Sequence, residues 1–257
     1  MHLNIEGVIS DACGNKLADK DCLDLFQAHD IVAITETHAD NDTVLELPGY
    51  IFKRIVRPKS AKARKYSGGL AIAIRQNIAS CVEIIRSKSD NIMWAKIRQK
   101  GTRNLMLGIV YISPINSSYT CNILPHPYKT WEILEEEIAT HKQHHNICLL
   151  GDFNARIACL PDYIANDDDK YVVVPHDYVP DNDIRVRTNS DDSTNAYGTT
   201  LLDLCKSSEL RIVNGRKFGD SSGKKTCHQW NGSSTVDYMI ADIPILSQIQ
   251  TFVVGNL

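Results

Sequence analysis

The chain has 257 residues, a net charge of −3 and 43% apolar residues. That length allows one large domain or two small ones with a substantial core. The near-neutral balance excludes recruitment of nucleic acid or anionic membrane by bulk charge, so any polyanion site has to come from a local patch. Eight cysteines, at positions 13, 22, 81, 121, 148, 159, 205 and 227, include no Cys-x-x-Cys pair. This pattern argues against a zinc ribbon or a dense disulfide scaffold and predicts reduced thiols in an intracellular setting. No apolar stretch approaches membrane-spanning length, and the first residues lack a charged-then-apolar signal pattern, so no membrane partner is expected.

Residues 3–9 read as a strand in which Leu3, Ile5 and Ile9 alternate with polar positions. Residues 16–29 place Leu17, Leu23, Leu25 and Phe26 among charges, the pattern of a modest amphipathic helix. Residues 30–35 form a β-branched apolar run that gives way to Glu36, Thr37 and His38. The spacing predicts a buried strand with Glu36 where the chain leaves the core. Pro48-Gly49 is a turn and 50–56 a short strand. Seven cations, Lys53, Arg54, Arg57, Lys59, Lys62, Arg64 and Lys65, then fall within thirteen residues and end at Ser67-Gly68-Gly69. Such a run is usually a solvated loop. Beside an acidic cluster it can instead hold phosphates through charge and counterion release.

Four strand-like runs follow, 70–75, 79–86, 92–98 and 105–113, joined by short links that predict antiparallel hairpins or a meander. The last carries Tyr111 just before the break at Pro114. Such a tyrosine is usually half-buried with its hydroxyl in water, but it can also face the same cleft as Glu36. Residues 129–145 form the best helix, with Trp131, Leu134 and Ile138 on one stripe and Glu132 and Glu135, Glu136 and Glu137 mostly opposite. His141, His144 and His145 in its last turns suit the helix dipole, and no partner at ligand spacing suggests a metal there.

The apolar run 147–150 stops at Gly151, and Asp152, Phe153, Asn154 and Arg156 follow at once. Polar groups at the end of a buried strand can be aimed into a cleft while the sheet holds them rigid. The same residues also suit a plain Asx-type turn, and this stretch alone leaves both readings open. Residues 160–198 are predicted to be an acidic surface insertion, solvated and mobile. Nine aspartates lie between 162 and 192 against Lys170, Arg185 and Arg187, with one candidate strand at 171–174 and no calcium-loop motif. Residues 199–209 look helical, with Thr199 or Thr200 near the N-cap and Leu201, Leu202, Leu204 and Cys205 buried. A short strand at 210–213, turns at Asn214-Gly215 and 219–223, and strands at 226–230 and 235–241 complete the order. The last strand contains Asp237, which would be costly among apolar neighbours unless paired or hydrogen-bonded.

Glu36, Tyr111, Asp152 with Asn154, and Asp237 thus stand where apolar strands end or are interrupted, and Asn4 is a fifth candidate. Converging carboxylates repel one another unless a cation compensates them. Oxygen donors without cysteine or histidine point to Mg²⁺ or Mn²⁺ and to phosphoester cleavage.

Taken in order, Asn4 in Leu-Asn-Ile-Glu-Gly, Glu36 in Thr-Glu-Thr-His, Tyr111 in Val-Tyr-Ile-Ser-Pro, Gly151-Asp152-Phe153-Asn154, and Asp237 in Val-Asp-Tyr resemble the endonuclease/exonuclease/phosphatase superfamily. The resemblance covers nearly the whole chain, read as a single domain over 1–257. It is nearest to the apurinic/apyrimidinic-endonuclease-like domain of non-long-terminal-repeat retrotransposons. The similarity rests on Gly151 to Arg156, the Gly198-x-x-Leu201-Leu202-Asp203-Leu204-Cys205 stretch, Asn214-Gly215-Arg216 and the segment from Thr226 to Asp237. It implies an α/β fold, a four-layer sandwich of two packed, mostly antiparallel β-sheets flanked by helices. It further implies that Glu36 binds metal with support from Asn4, and that Asp152 orients or deprotonates water. Asn154 would hold the phosphate or nucleophile, Tyr111 would contact phosphate, Asp237 would hold a histidine, and Thr226 would lie near DNA. Arg156, Lys62, Arg64 and Lys65 are further candidates for substrate contact.

One departure stands out. The family carries Ser-Asp-His shortly after the Val-Asp-Tyr strand, whereas no histidine follows His228 here. The expectation is therefore a chain cut before that motif, binding metal but nearly inactive, since loss of a general acid–base residue costs roughly 10²–10⁴ in rate. The leading function is a Mg²⁺-dependent DNA endonuclease that nicks target DNA for reverse transcription. It would be a monomer acting in the nucleus, with a reverse transcriptase domain as candidate partner. The alternatives are a phosphatase of the same fold and a non-catalytic nucleic-acid-binding remnant.

Overall fold

The computed structural model describes residues 1–10, 14–59, 63–164, 185–230 and 232–255. The chain divides into two compact units, Met1–Asn154 and Ala155–Leu257.

In the first unit β1 (His2–Asn4) leads through two short strands, β2 (Ile9–Ser10) and β3 (Gly14–Asn15), into helix α1 (Lys20–Gln27) and strand β4 (Ile31–Thr35). Asp19 caps α1, its carboxylate accepting from the backbone N–H groups of Asp21 and Cys22. β5 (Tyr50–Ile55) and β6 (Leu70–Arg75) complete a four-stranded sheet in the order β1-β4-β6-β5, with β1 and β4 parallel and the other pairs antiparallel. The continuous apolar run of β4 follows from burial on both faces. Val32 and Ile34 pack with Phe26, Leu17, Ala71 and Ala73 under α1. Ala33, Leu70 and Ile72, pointing the other way by the two-residue period of a strand, are buried as well.

β7 (Val82–Arg86), β8 (Ile92–Ile97) and β9 (Leu105–Tyr111) form an antiparallel meander, to which β10 (Asn146–Asp152) adds in parallel beside β9. The short helix α2 (Ser118–Asn122) and the long α3 (Lys129–Lys142) supply the crossover between β9 and β10. α3 buries Trp131, Leu134 and Ile138. Its buried Glu137 accepts from the Trp94 indole N–H at 2.7 Å and from the Ser87 hydroxyl at 2.8 Å. The two sheets pack through β1, β4 and β6 against β9 and β10, with α1 outside one sheet and α3 outside the other, giving four layers. Of the four strand-like runs expected to form antiparallel hairpins or a meander, the last three form a meander and the first belongs to the opposite sheet. Residues 76–81, expected in part as strand, are a 3₁₀ helix.

The second unit contains α4 (Ala196–Ser207), the antiparallel pair β11 (Leu210–Ile212) and β14 (Asp237–Asp242), the hairpin β12 (Cys227–Gln229) and β13 (Gly232–Ser234), and α5 (Ile243–Gln248). α4 starts earlier than the sequence suggests: Asn195, not Thr199 or Thr200, is its N-cap, accepting from the Gly198 N–H at 2.7 Å. The acidic segment is also not simply solvated. Asp162 and Asp191 are 0% and 2% exposed. Arg216 grips Asp162 with both of its terminal nitrogens, at 2.8 and 2.7 Å, and Arg156 grips Asp191 through Nε and Nη2 at 2.9 and 2.7 Å. The candidate strand at 171–174 lies outside the described residues. Among the described residues no helix is long and apolar enough to cross a membrane.

Candidate active site

Two parallel strand pairs, one in each sheet of the first unit, end side by side. Asn4 is the last residue of β1 and pairs with Thr35, the last residue of β4, so Glu36 emerges one step beyond. Asp152 is the last residue of β10 and pairs with Tyr111, the last residue of β9. The carboxyl ends of parallel strands are where an α/β sheet presents polar groups to a cleft. Gly151 makes the second arrangement possible: a Cβ there would lie 1.9 Å from the Val110 carbonyl oxygen.

Asn4 joins the two ends. Its Nδ2 donates to Glu36 Oε1 at 2.9 Å and to Asp152 Oδ2 at 3.1 Å, while its Oδ1 accepts from the Glu6 N–H at 3.2 Å. One amide nitrogen thus holds two carboxylates, and Asn4 acts as their support through nitrogen. His38 Nε2 lies 3.2 Å from Glu36 Oε2. Burial pushes the Glu36 carboxyl up, but the hydrogen bonds from His38 and Asn4 and the charges of His38 and Arg57 outweigh it and hold its pKa below the ordinary glutamate value.

Asp152 is buried. Its other oxygen, Oδ1, accepts from the Asn154 N–H at 2.9 Å, and Asn154 Nδ2 donates to the Ile112 carbonyl at 2.9 Å. The local Asx turn and the cleft-facing carboxylate are both present in one side chain. The bond to Ile112 fixes the orientation of the Asn154 amide. Tyr111 is buried beside these groups. Desolvation, then the charges of Glu36 and Asp152, push its hydroxyl pKa well above the ordinary tyrosine value, so it remains a hydrogen-bond donor at neutral pH. Glu36, His38 and Asn154 all have left-handed backbones, with φ of 54°, 49° and 48°. Non-glycine residues in that region cluster where surrounding structure holds strain for function.

In the second unit Thr226 Oγ1 accepts from the backbone N–H groups of Val236 and Asp237, each at 3.1 Å. Asn214 brackets the same turn: Nδ2 donates to the Asp237 carbonyl at 3.1 Å and Oδ1 accepts from the Met239 N–H at 3.0 Å. Asp237 is the first residue of β14 and half-buried as a whole, with its Oδ1 enclosed.

Residues 1–243 match the model of the endonuclease/exonuclease/phosphatase family. The chain belongs to that family. Its fold is similar to three solved structures, each at 14% identity. The 3′ phosphatase NExo from Neisseria, solved with a product DNA hairpin, matches with a TM-score of 0.55 over 96% of this chain and 87% of that one. An AP endonuclease from Archaeoglobus fulgidus matches at 0.54 with the same coverage, 96% and 87%. The endonuclease domain of TRAS1, a telomere-specific non-LTR retrotransposon, matches at 0.52 over 91% of this chain and 83% of that one. No curated protein sequence matches. Membership of the endonuclease/exonuclease/phosphatase family supports a hydrolase of phosphoester bonds, a nuclease or phosphodiesterase.

Of the residues singled out from sequence, the structure gathers Asn4, Glu36, Tyr111, Asp152 and Asn154 at one place in the first unit. Arg64 and Lys65 are exposed on the cationic loop, and Lys62 lies outside the described residues. Thr226, Asp237 and Arg156 belong to the second unit, where the Thr226 hydroxyl pins backbone and the Arg156 guanidinium is committed to Asp191. Two side chains of the site went unread in the sequence. His38 was visible in Thr-Glu-Thr-His, but only the left-handed turn at Glu36 brings it back onto the carboxylate. Arg57 looked like one more loop cation, yet it is 3% exposed.

Proposed function

We propose that this chain is a divalent-metal-dependent DNA endonuclease whose reacting centre is the Asn4–Glu36–Asp152 constellation. The observation that carries the proposal is the single Asn4 amide nitrogen shared by two carboxylates from different sheets. Two negative groups held this close need positive charge between or beside them. Among the described residues no cage of three or more His, Cys, Asp and Glu side chains stands ready for an ion. The donor set nevertheless fits Mg²⁺ or Mn²⁺, which bind through one or two carboxylates and complete their shells with water and substrate phosphate. Glu36 would hold the ion, with Asp152 beside it. Bound there, it would supply a Lewis acid that polarises a phosphoryl oxygen and stabilises a leaving oxygen.

The chain's own side chains account for the rest. Asp152, fixed by Asn4 and by the Asn154 N–H, is placed to orient and deprotonate water. Tyr111 donates its hydroxyl hydrogen to a phosphoryl oxygen and stabilises charge that grows there. Asn154, anchored on Ile112, holds the same phosphate. Exposed Lys59, Arg64 and Lys65 offer a cationic surface to flanking phosphates. In the second unit Trp230, next to the β12–β13 hairpin, is 97% exposed and offers a ring face on which a base can stack. The biological role in this reading is nicking of chromosomal target DNA ahead of reverse transcription by a linked domain.

The test sets supercoiled plasmid nicking beside phosphate release from 3′-phosphorylated DNA and from inositol phosphates, each with Mg²⁺ and with a chelator. Metal-dependent nicking is the expected result, slow in this chain because no histidine follows His228 to act as general acid–base. Phosphate release without nicking would replace the endonuclease with a phosphatase of the same fold. DNA binding with neither activity would leave only a non-catalytic binding domain.

A further inference from the structure

Arg57 is a buried cation with an unusual set of neighbours. Its Nη1 donates to Ser113 Oγ at 2.6 Å and to Asn91 Oδ1 at 3.3 Å, and its Nη2 donates to Ser67 Oγ at 2.9 Å. Its Nε is buried without a hydrogen-bond partner. Every acceptor is neutral, although enclosing a charge normally demands a carboxylate or an ion. The Glu36 and Asp90 carboxylates act on the guanidinium only through charge, and what packs against it is aromatic: its Cζ sits 3.8 Å from the ring centroid of Tyr119 and 5.3 Å from that of Tyr111. Both distances lie within the range of cation–π attraction, and the planar guanidinium suits stacking in a way a lysine ammonium does not. The backbone closes a third side. A Cβ on Gly68 would lie 2.4 Å from Arg57 Cζ and would displace the guanidinium, and the Gly68 φ of +68° also favours glycine.

The same contacts reach the carboxylates. Arg57 and Ser67 flank the cationic loop, and their hydrogen bond closes its base. The Gly68 and Gly69 carbonyls accept from the His38 and Thr37 N–H groups at 2.8 and 3.3 Å, on the segment that carries Glu36. We propose that Arg57 is the positioning residue of this site: clamped by Ser67, Asn91 and Ser113 and packed against Tyr119 and Tyr111, it holds the Tyr111 ring so that its hydroxyl meets the substrate phosphate. The inference rests on the endonuclease reading and adds to it a residue that acts through Tyr111 without touching DNA. A residue that merely filled space would weaken folding, whereas one that acts through Tyr111 loses its effect once the Tyr111 hydroxyl is gone.

A double-mutant cycle of Arg57→Lys and Tyr111→Phe, read as kcat and KM for nicking, makes that distinction. Arg57→Lys should lower kcat about tenfold or more with KM within about twofold, and should add almost nothing in the Tyr111→Phe background. Tyr119→Leu, which removes the nearer of the two rings and leaves the hydrogen bonds of Arg57 in place, should act in the same direction and stands in if Arg57→Lys does not fold. Full additivity in the cycle, or an unchanged kcat, overturns the proposal. If the wild-type chain cuts no DNA, the endonuclease reading falls, and the positioning role is then read from the NMR signals of the Tyr111 ring. Arg57→Lys should shift and broaden them, and unaltered signals overturn it.

Discussion

Asn4 shows how little chemistry is needed to hold two like charges together. Each of its hydrogen bonds to a carboxylate contributes about 1.5–3 kcal/mol, the range for bonds to charged groups. Removing both exposes Glu36 and Asp152 to their mutual repulsion. Asn4→Ala is therefore expected to weaken Mn²⁺ binding, read by electron paramagnetic resonance, by about 10–100-fold, the usual cost of losing a group that orients a metal ligand. An undiminished affinity would show that the amide only packs. Glu36 carries a pH signature of its own. Its folded pKa lies below its unfolded value near 4.5, so its contribution to stability is present above that value and is lost as pH falls through the lower folded pKa. A Glu36→Gln variant should therefore lose part of the acid dependence of unfolding below about pH 4.5 and match the wild-type slope above it. A wild-type slope retained below that pH would deny the depressed pKa.

At the scale of elements, the site depends on how closely strands approach. Gly151 lets β10 run against β9 with no room for a methyl group, so Gly151→Ala must move backbone and should destabilise the fold by about 1–3 kcal/mol in urea unfolding. A change near zero would mean that the strand end is looser than the parallel pairing requires. The position of that end was readable from sequence, because an apolar run that stops at Gly-Asp or Thr-Glu has few other structural meanings. Which strands share a sheet was not: residues 70–75 and 82–86 are near in sequence but lie in different sheets, and the short 3₁₀ segment between them carries no pattern that announces a change of layer. The seat of Arg57 was equally hidden, since burial of one cation among seven depends on Tyr119, Ser113 and Gly68 arriving from distant segments. Asn195 was overlooked as the cap of α4 because Thr199 and Thr200 also offer suitable oxygens.

For the molecule as a whole, the acidic character of the second half has a structural use. Asp162 and Arg216 form a nearly fully buried, two-toothed pair, and Asp162 also accepts from the Ile212 N–H at 2.7 Å. Removing one partner of such a pair costs about 3–5 kcal/mol, so Arg216→Ala should unfold the second unit at markedly lower urea. An unchanged midpoint would assign the stability of that unit to its apolar core alone. Burial pushes Asp191 up, but the bonds from Arg156 and from the Thr235 and Ser193 N–H groups prevail and bring its pKa down to about 2. The stability it contributes is present above its unfolded pKa and disappears as pH falls from near 4 toward 2. Family membership over residues 1–243 joins these supports to a phosphoester-hydrolysing fold. The claim at the centre of the account is that Asp152, held by Asn4 opposite Glu36, carries the reaction. Plasmid nicking by the wild type and by Asp152→Asn, with urea midpoints measured on both, tests it most directly. The account predicts Mg²⁺-dependent nicking that falls about 10²–10⁴-fold in the variant at an equal midpoint. Nicking that survives the substitution, or that persists in chelator, would contradict it.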